Sequence, residues 1–554
     1  MKVRVALAVL LGLFALLTIA DRFALLELLV SRAGAPLLFA LAQAIAMIGI
    51  GCIVRGSREA DPALDYLIGF PLFGALLFLI GLLQISVWTI APLLLVCGLA
   101  GVVLILAGWK HNEREIPTSS LSLIAVLVVL ICGLVTALAP PTSLEEVAST
   151  LAVPRTWALE GRAVELPLLA HSYFPLGLES ADVAPLAILG ALKGGVASHL
   201  LHLFAAIAAA LLLYRRTESW FLTAAIVTTP ALAIVAGWSF GDWPLVGLFV
   251  ATFVSLERDD VRTASAATAA GLLTSYIFLP FALLAWIAKR KRPHWMVVFG
   301  LLFFVRNTIL TGNPIAPFFT GGAPALFGAR ELALADYVFH ADFISESLGV
   351  ALLALPFFAA GAIAIGAAAL AVAAFLLAPS ARVLVPFLVI PSMTAKPALQ
   401  RKLIAVLTAV AIVAQTLLAG WFMARGESFA LLTASTSTDA YLRKQRPDQA
   451  SIAWLNETIP AASRTLVIGI RELYWFEHRV RGGDAQSISH YLDLATEDAV
   501  RERLRKDGIT HVAVITPEHP VALEPNAQKL LAGTLDHYAV TVTTRGNATL
   551  FTLR

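Results

Sequence analysis

The stretch LSLIAVLVVLICGLVTALA (121–139) runs directly into PPTSLEEVASTLAVPRTWALEGR (140–162). The first part carries no charge and is close to the length, about 20 residues, that a helix needs to cross the hydrocarbon core of a bilayer. The second part begins with two prolines and then places Glu145 and Glu146 a few residues beyond the predicted span. This boundary predicts a membrane helix followed by an acidic loop, and function is first to be sought in that loop.

The rest of the chain repeats the apolar pattern. Of its 554 residues, 59% are hydrophobic and 14% are charged, whereas soluble domains contain about 25% charged residues. Runs that could span a bilayer lie at 3–20, 34–54, 66–87, 89–108, 120–139, 195–213, 218–237, 243–256, 294–305, 348–378 and 403–423. The run 348–378 is long enough for two helices, and 263–288 fits either one span or a re-entrant pair of half-helices. The predicted fold class is an α-helical polytopic membrane protein with about 11–13 spans.

Charge and cysteine content weigh against other classes of protein. The formal net charge of +3 is too small to indicate a nucleic-acid or acidic partner. Cys52, Cys97 and Cys132 all fall within apolar runs, which favours small buried side chains over a disulfide framework or a metal cluster. The N-terminal run resembles a signal peptide but lacks a clear cleavage site, so we expect an uncleaved first helix.

Short basic loops set the expected orientation, because Lys and Arg mark the cytoplasmic side. The basic clusters are RGSRE (55–59), KHNERE (110–115), YRRTE (214–218), ERDDVR (257–262), KRKRPH (289–294) and KPALQRK (396–402). With a cytoplasmic N-terminus and a re-entrant 263–288, all of them fall on the cytoplasmic side. The segments then placed outside are 140–194, 237–243, 306–314 and everything after 424. We therefore expect the chemistry at the outer face.

The composition changes after about residue 424, where short β-like runs alternate with polar helical patterns such as ATEDAVRERLRKDG (495–508). The β-like runs lie at 465–470, 510–515, 539–544 and 548–553. Residues 1–423 are predicted to form a transmembrane domain whose long first outer loop is 140–194. Residues 424–554 are predicted to form a small extracytoplasmic α/β domain that ends in a hairpin.

The first outer loop carries two adjacent candidate acids. Glu145 and Glu146 could act on a substrate, one of them as a general base, or could cap a helix that begins at Ser143. The residues alone leave both interpretations open. The residues grouped as substrate-loop candidates are Glu146, His171, Tyr173 and Glu179 in this loop, together with Asn307 and Asn313 further along the chain.

The second outer loop, GWSFGDWPLVG (237–247), contains one acid, Asp242. Alone it is more typical of a helix start than of a ligand. Together with Glu145 it could share a base role and a role in positioning the acceptor or a cation. Two loop acids would suit Mg²⁺ or Mn²⁺, which prefer oxygen ligands, but neither ion is required.

The third outer loop, RNTILTGNPIAPFF (306–319), starts with Arg306 and Asn307 and turns at Asn313. Arg306 could extend its charge to the membrane surface or bind a lipid phosphate, whose oxygens match a planar guanidinium. A second basic candidate is Arg382, which lies outside if 348–378 is two helices.

His199 and His202 stand three residues apart on one predicted helix face. They could ligate a metal, but no carboxylate partner is obvious on the same helix. A buried structural role is the favoured interpretation.

Four motifs resemble, in order, those of the polytopic glycosyltransferases of the GT-C fold. The motifs are PPTSLEEVASTLAVPRTWALEGR (140–162), HSYFPLGLESADVAPLAILG (171–190), FGDWPLVGLFVA (240–251) and RNTILTGNPIAPFF (306–319). The most similar group is bacterial and is related to the protein mannosyltransferases and the aminoarabinose transferases. The match covers roughly residues 135–320 and keeps each motif on the side of the membrane that the charges predict.

The resemblance implies an inverting sugar transfer from a polyprenyl-phosphate donor to an extracytoplasmic acceptor, at the inner (plasma) membrane of a bacterium. It makes Glu145 the general base and Asp242 the second-loop acid. It also makes Arg306 and Arg382 candidates for holding the donor phosphate, with Asn313 shaping the turn. The implied partners are a polyprenyl-linked sugar, membrane lipid and an unidentified acceptor, with no nucleic acid.

The chain also departs from the family pattern. The aspartate of the family is Glu145 here, and its Tyr-His pair is Ser149–Thr150. A lysine of the ninth-span region is replaced near Thr274–Ser275. These departures keep a second hypothesis open, a catalytically degenerate GT-C-like scaffold subunit. A transporter of lipid-linked sugars is less favoured, because most ionisable residues lie in loops rather than in mid-span.

Overall fold

The computed structural model describes residues 33–56, 61–108, 121–318, 347–354, 381–394, 402–482, 490–516 and 525–554. The predicted span 3–20, the basic loop 110–115, most of the run 348–378 and nearly all of 396–402 lie outside the described residues.

The described part is mainly helical. Up to residue 425 its α-helices are α1 (Ala35–Arg55), α2 (Pro62–Gly81), α3 (Val87–Gly108), α4 (Leu121–Ala137), α5 (Ala152–Glu160), α6 (Gly177–Thr217), α7 (Trp220–Val227), α8 (Pro230–Ala233), α9 (Asp242–Glu257), α10 (Val261–Thr274), α11 (Phe278–Ala288), α12 (Leu302–Thr311), α13 (Gly349–Ala354), α14 (Ala381–Thr394) and α15 (Lys402–Arg425). A π-helix covers Glu146–Thr150, and 3-10 helices cover Ala170–Tyr173, Ile234–Gly237 and Trp295–Leu301.

Five of the described helices, α1, α2, α3, α6 and α15, are long and apolar enough to cross a membrane. A sixth candidate is formed by α7 and the following segment Pro230–Gly237, which are bent by 74° against each other. Helix α4 is apolar but shorter, at 17 residues. These helices confirm the predicted multi-pass membrane chain. The predicted number of spans includes segments outside the described ranges.

Close backbone contacts hold α1, α2 and α6 together. A Cβ added to Gly69 of α2 would lie 1.8 Å from the carbonyl oxygen of Met47, and one added to Gly74 would lie 1.7 Å from that of Gly177. Between helices in lipid, association relies on van der Waals packing, and glycine lets two backbones approach closely. Helix α6 is itself divided at Gly190, where φ is 74° and ψ is −175°.

Ion pairs join the predicted cytoplasmic loops at one end of α6. Arg215 contacts Asp61 at 2.7 Å, Arg216 contacts Glu257 at 2.8 Å, and Lys289 contacts Glu257 at 3.5 Å. Lys291 contacts Asp259 at 2.8 Å. Helix α10 therefore starts, and α11 ends, in the same group of loops. The chain therefore comes back to the end of the molecule from which α10 started, which agrees with a broken pair of half-helices over 263–288.

The segment after residue 425 begins with helices α16 (Ser428–Leu432), α17 (Thr438–Gln445) and α18 (Gln449–Thr458). Then follow β1 (Arg464–Ile468), β2 (Arg479–Arg481), α19 (Glu497–Lys506), β3 (His511–Ile515), α20 (Pro525–Tyr538), β4 (Ala539–Arg545) and β5 (Ala548–Leu553). The sheet order is β2-β1-β3-β5-β4. Strand β1 pairs parallel with β2 and β3, while β5 pairs antiparallel with β3 and β4. The predicted α/β domain and its terminal hairpin are confirmed.

The C-terminal domain and the first outer loop pack against each other, and each contributes buried side chains to the apolar core of the other part. Leu168 of the loop belongs to the apolar core of the sheet domain, and Tyr474 and Phe476 belong to the core of the membrane part. The buried carboxylate of Glu160 contacts Arg464 at 2.9 Å and Arg481 at 3.0 Å. The C-terminal domain is thus attached to the loop that carries Glu145.

Candidate active site

Glu145, Asp242 and Arg382 come together where the first and second predicted outer loops meet, and we call them the acid–arginine cluster. Nη2 of Arg382 lies 2.6 and 2.5 Å from the two carboxylate oxygens of Glu145. Its Nη1 lies 3.6 Å from Oδ2 of Asp242. The guanidinium also stands over the ring of Phe240, at 4.9 Å from the centroid. Residues 237 positions apart in sequence therefore form one ionic cluster.

Each member of the cluster is placed by a different element. Glu145 lies in the helical turn that enters the π-helix after the Pro140–Pro141 pair. Asp242 is the first residue of α9, and Arg382 is the second residue of α14, which packs against α9. Neither acid acts as a helix cap: Glu145 makes no side-chain cap bond, and the N-cap of α9 is Gly241. Asp242 thus stands at a helix start, as its sequence suggests, and Glu145 occupies the N-cap position of the π-helix without a side-chain cap bond.

The three side chains differ in their access to solvent. The side chain of Glu145 is 48% exposed, that of Asp242 is 16% exposed and that of Arg382 is 11% exposed. Glu145 is therefore accessible from the surface, while Arg382 is held below the surface between two carboxylates and an aromatic ring. A guanidinium in such a place can neutralise a further anion and can bind phosphate oxygens in a bidentate manner.

Glu146 lies in the first turn of the π-helix, the position at which its sequence allows a helix-start charge. Its side chain is fully buried. Oε1 of Glu146 lies 2.7 Å from Nε2 of His199 and accepts a hydrogen bond of 2.8 Å from the backbone N–H of Ser239. Glu146 therefore does not face a substrate, and it ties the first outer loop to the second.

His202 and Asp182 form a second buried pair one helical turn away. Nε2 of His202 lies 3.2 Å from Oδ2 of Asp182, and its Nδ1 donates to the carbonyl oxygen of Phe240 at 2.9 Å. Asp182 lies before the break at Gly190 and both histidines lie after it, so their carboxylate partner comes from the half of α6 that precedes the break. The buried structural role expected for the histidines agrees with these contacts. We call His199–Glu146 and His202–Asp182 the buried histidine pairs.

Arg306 lies in a separate polar group. Its Nη1 donates to the carbonyl oxygen of Ser172 at 2.6 Å, and its guanidinium stands between the rings of Phe78 and Tyr173. The structure thus brings Arg382 to the candidate acids and engages Arg306 with the 170–174 turn.

The remaining substrate-loop candidates contact one another around that turn. Asn307 donates to the carbonyl oxygen of Tyr173, and Tyr173 donates to Glu165 at 2.8 Å. Nε2 of His171 lies 3.0 Å from Oε1 of Glu179. Burial, together with the neighbouring Glu165, raises the pKa of Tyr173 well above its usual range, so the hydroxyl stays protonated and remains a donor.

Asn313 shapes its turn as the sequence suggests. Its Nδ2 donates to the carbonyl oxygen of Phe318 at 2.6 Å, and its Oδ1 accepts from the backbone N–H of Ile315 at 3.1 Å. Tyr276, at the break between α10 and α11, donates to the carbonyl oxygen of Ala316 at 2.9 Å. These bonds connect the third outer loop to the break.

A divalent cation does not fit the cluster well. Mg²⁺ and Mn²⁺ favour several oxygen ligands, but Glu145 and Asp242 supply carboxylates that Arg382 already bridges. Among the described residues, no group of three or more His, Cys, Asp or Glu is arranged to hold a metal ion. We therefore route no chemical step through a metal.

Sequence reasoning missed Asp182 and the backbone of Ser239 and Phe240 as parts of the site. The signal for Asp182 was present, since a carboxylate inside an apolar segment requires a partner and two histidines follow it after the break at Gly190. The backbone contacts of residues 239 and 240 leave no mark in the sequence.

No protein-family model matches the chain, and no curated protein sequence does so either. Among solved structures, the chain is similar to ArnT from Cupriavidus metallidurans bound to undecaprenyl phosphate, with a TM-score of 0.47 and 14% identity over 78% of this chain and 97% of that chain. It is similar to the apo state of the same protein, with a TM-score of 0.46 and 14% identity over 77% and 97%. The mycobacterial arabinofuranosyltransferase AftD gives a TM-score of 0.37 and 14% identity over 78% of this chain and 40% of that chain. These likenesses are similarities of the overall fold and assign no role to any residue of this chain.

Proposed function

We propose that the chain is a membrane glycosyltransferase that moves a sugar from a polyprenyl-phosphate donor to an extracytoplasmic acceptor with inversion. The observation that carries the proposal is the acid–arginine cluster, in which a partly exposed carboxylate and a second acid share one guanidinium. The four loop motifs that resemble the GT-C glycosyltransferases support the same chemistry. Sugar, acceptor and prenyl chain are left open.

The cluster offers the two functions that such a transfer needs. The acceptor oxygen attacks the anomeric carbon, and the bond from that carbon to the phosphate oxygen breaks. The acceptor proton goes to Glu145, and the phosphate leaves with the electron pair. A base within reach of the acceptor and a cation at the phosphate stabilise the charges that develop.

Arg382 would link donor binding to the availability of the base. Its guanidinium contacts both oxygens of Glu145, so another anion that binds Arg382 would compete with this carboxylate and leave its oxygens open to the acceptor. A donor phosphate is such an anion, and it matches the guanidinium geometry. Asp242 on the other side keeps the guanidinium within the site during this exchange.

Arg306 is assigned a different task in this proposal. Because it binds the carbonyl oxygen of Ser172 and lies between two aromatic rings, we assign it to holding the first outer loop rather than the phosphate. Arg382 is then the phosphate ligand of the pair that the sequence suggested.

The test is transfer of a radiolabelled sugar from a panel of polyprenyl-phosphate donors by the purified full-length protein. Glu145→Gln keeps the shape of the side chain and removes the base, so we expect transfer to fall by at least about 100-fold while expression and melting stay unchanged. The matched control is Glu457→Gln, which neutralises an exposed acid outside the cluster and should transfer like the wild type.

Each outcome separates the hypotheses. Equal turnover by wild type and Glu145→Gln would remove Glu145 as the base. Donor binding without turnover by the wild type would favour the degenerate scaffold. Movement of labelled lipid across proteoliposomes without transfer to an acceptor would favour the transporter.

A further inference from the structure

The second outer loop is held in place by the buried histidine pairs. Its backbone at Ser239 donates to Glu146, and its backbone at Phe240 accepts from His202. The loop lies between a 3-10 turn and the start of α9, where backbone groups lack helical partners. A buried polar backbone group without a partner is costly, so these two contacts fix the path of the loop.

The same two loop positions adjoin the acid–arginine cluster. Asp242 follows Phe240 by two residues, and the Phe240 ring lies under the guanidinium of Arg382. In the first outer loop, Glu146 directly follows Glu145 in the sequence. A displacement at the Glu146–Ser239 bond therefore changes the distance between the two candidate acids across Arg382.

We infer that Glu146 is a positioning residue that sets the geometry of Glu145 and Asp242 around Arg382. The effect of this inference on kinetics rests on the proposed function. Its effect on the structure rests on the hydrogen bonds alone. Glu146 cannot touch a substrate, because its side chain has no solvent-exposed surface. Its effect must pass through His199 and the backbone of Ser239.

The chemistry of the His199–Glu146 pair indicates that the length of the side chain at position 146 matters more than its charge. Nδ1 of His199 lies 3.1 Å from the carbonyl oxygen of Ala139, which can only accept, so Nδ1 carries a hydrogen. Nε2 of His199 and the backbone N–H of Ser239 both contact the same oxygen, Oε1 of Glu146. The side-chain amide oxygen of the glutamine in Glu146→Gln can take the place of this oxygen toward both partners. The aspartate side chain in Glu146→Asp keeps the charge but is one methylene too short to hold both partners.

The experiment compares Glu146→Gln with Glu146→Asp in the full-length protein. We expect Glu146→Asp to lower kcat by about 10–100-fold with donor KM changed less than about twofold, since small displacements of reacting groups cost rate rather than binding. Glu146→Gln should keep kcat within about threefold of the wild type. If the Gln variant loses activity and the Asp variant keeps it, Glu146 acts by its charge and the inference is wrong.

A control separates positioning from general damage to a buried acid. Asp65 pairs with Arg55 at 2.6 Å and accepts from the backbone N–H of Asp61, so it lies beside the basic loops. Asp65→Asn should lower thermal stability but leave kcat per folded molecule unchanged. An equal loss of kcat in Asp65→Asn and Glu146→Asp would mean that any buried acid has this effect, which overturns the inference.

A second measurement requires no turnover. Hydrogen exchange of the backbone amides in 237–243 should be faster in Glu146→Asp than in the wild type, Glu146→Gln and Asp65→Asn. If no donor is turned over by the wild type, the proposed function fails while this comparison still decides the role of Glu146. Unchanged exchange in Glu146→Asp would contradict the positioning role.

Discussion

Arg382 holds two carboxylates that come from separate loops, Glu145 from the first and Asp242 from the second. Both acids and the arginine could be selected from the sequence, because they belong to, or follow, the outer-face motifs. Their pairing could not, since Arg382 is far along the chain and its helix follows a long apolar run. The sequence also offered Arg306 as an equal candidate, and only contacts distinguish the two.

Replacing each arginine by lysine tests that distinction. Lysine is a single point charge and cannot bridge two acids or grip a phosphate in a bidentate manner. We expect Arg382→Lys to raise the donor KM about tenfold or more, measured by steady-state transfer. Arg306→Lys should instead lower stability by about 1–3 kcal/mol through loss of the bond to Ser172, with the donor KM within about twofold of the wild type. A larger KM effect in Arg306→Lys would restore it as the phosphate ligand.

Glu146 shows where residue-scale reasoning from the sequence stops. The letters SLEE fit a helix start, a catalytic acid and a buried partner equally well. The burial of Glu146 is decided by His199 and Ser239, which lie 53 and 93 positions further on. No local pattern carries that information.

At the scale of elements, the contact between α1 and α2 depends on glycine rather than on large apolar side chains. The apolar runs predicted these helices to within a few residues, because span length and hydropathy are local properties. Strand β2, with three residues, was not predicted, since so short a run has no detectable alternation. It is defined by parallel pairing with β1.

Alanine substitutions at two glycines test the helix contact. In Gly69→Ala the new methyl group meets the backbone of Met47, so we expect a loss of about 1–3 kcal/mol in the free energy of unfolding. Gly98 of α3 has open space around the same position, and Gly98→Ala should be neutral or gain up to about 1 kcal/mol. Denaturant titration of both variants in detergent measures the difference, and similar values for the two would contradict the close contact.

At the scale of the whole molecule, the structure divides the loops into two groups. The basic loops contact one another at one end of α6. The first and second outer loops meet at the acid–arginine cluster, and the first outer loop also contacts the third through Arg306 and the C-terminal domain through Arg464. Charge alone predicted this division, because each loop carries its own signal. The attachment of the C-terminal domain could not be predicted, since Glu160 and Arg464 are 304 positions apart.

Neutralising Glu160 tests this attachment. The carboxylate is buried and contacts Arg464 and Arg481, so Glu160→Gln leaves two arginines without their anion. We expect a loss of about 3 kcal/mol, near the lower end for a broken buried pair because Arg464 is partly exposed. Limited proteolysis of the folded protein should then release the C-terminal domain earlier.

The matched control is an ion pair on the surface. Asp439 and Arg443 form an i, i+4 contact of 2.9 Å with both side chains largely exposed. Asp439→Asn should change stability by less than about 0.5 kcal/mol and leave proteolysis unchanged. Equal release in both variants would show that Glu160 does not hold the domains together.

The packing of the C-terminal domain against the first outer loop limits which segments can be replaced when chimaeric proteins are made. Tyr474 donates from its backbone to the carbonyl oxygen of Val147, two residues after Glu145, and Leu168 is buried within the sheet domain. A chimaera joined near residue 424 would graft a foreign domain onto a loop shaped for the original. Such a hybrid should be functional only if residues 140–168 and residues 464–482 are taken together from the same parent protein.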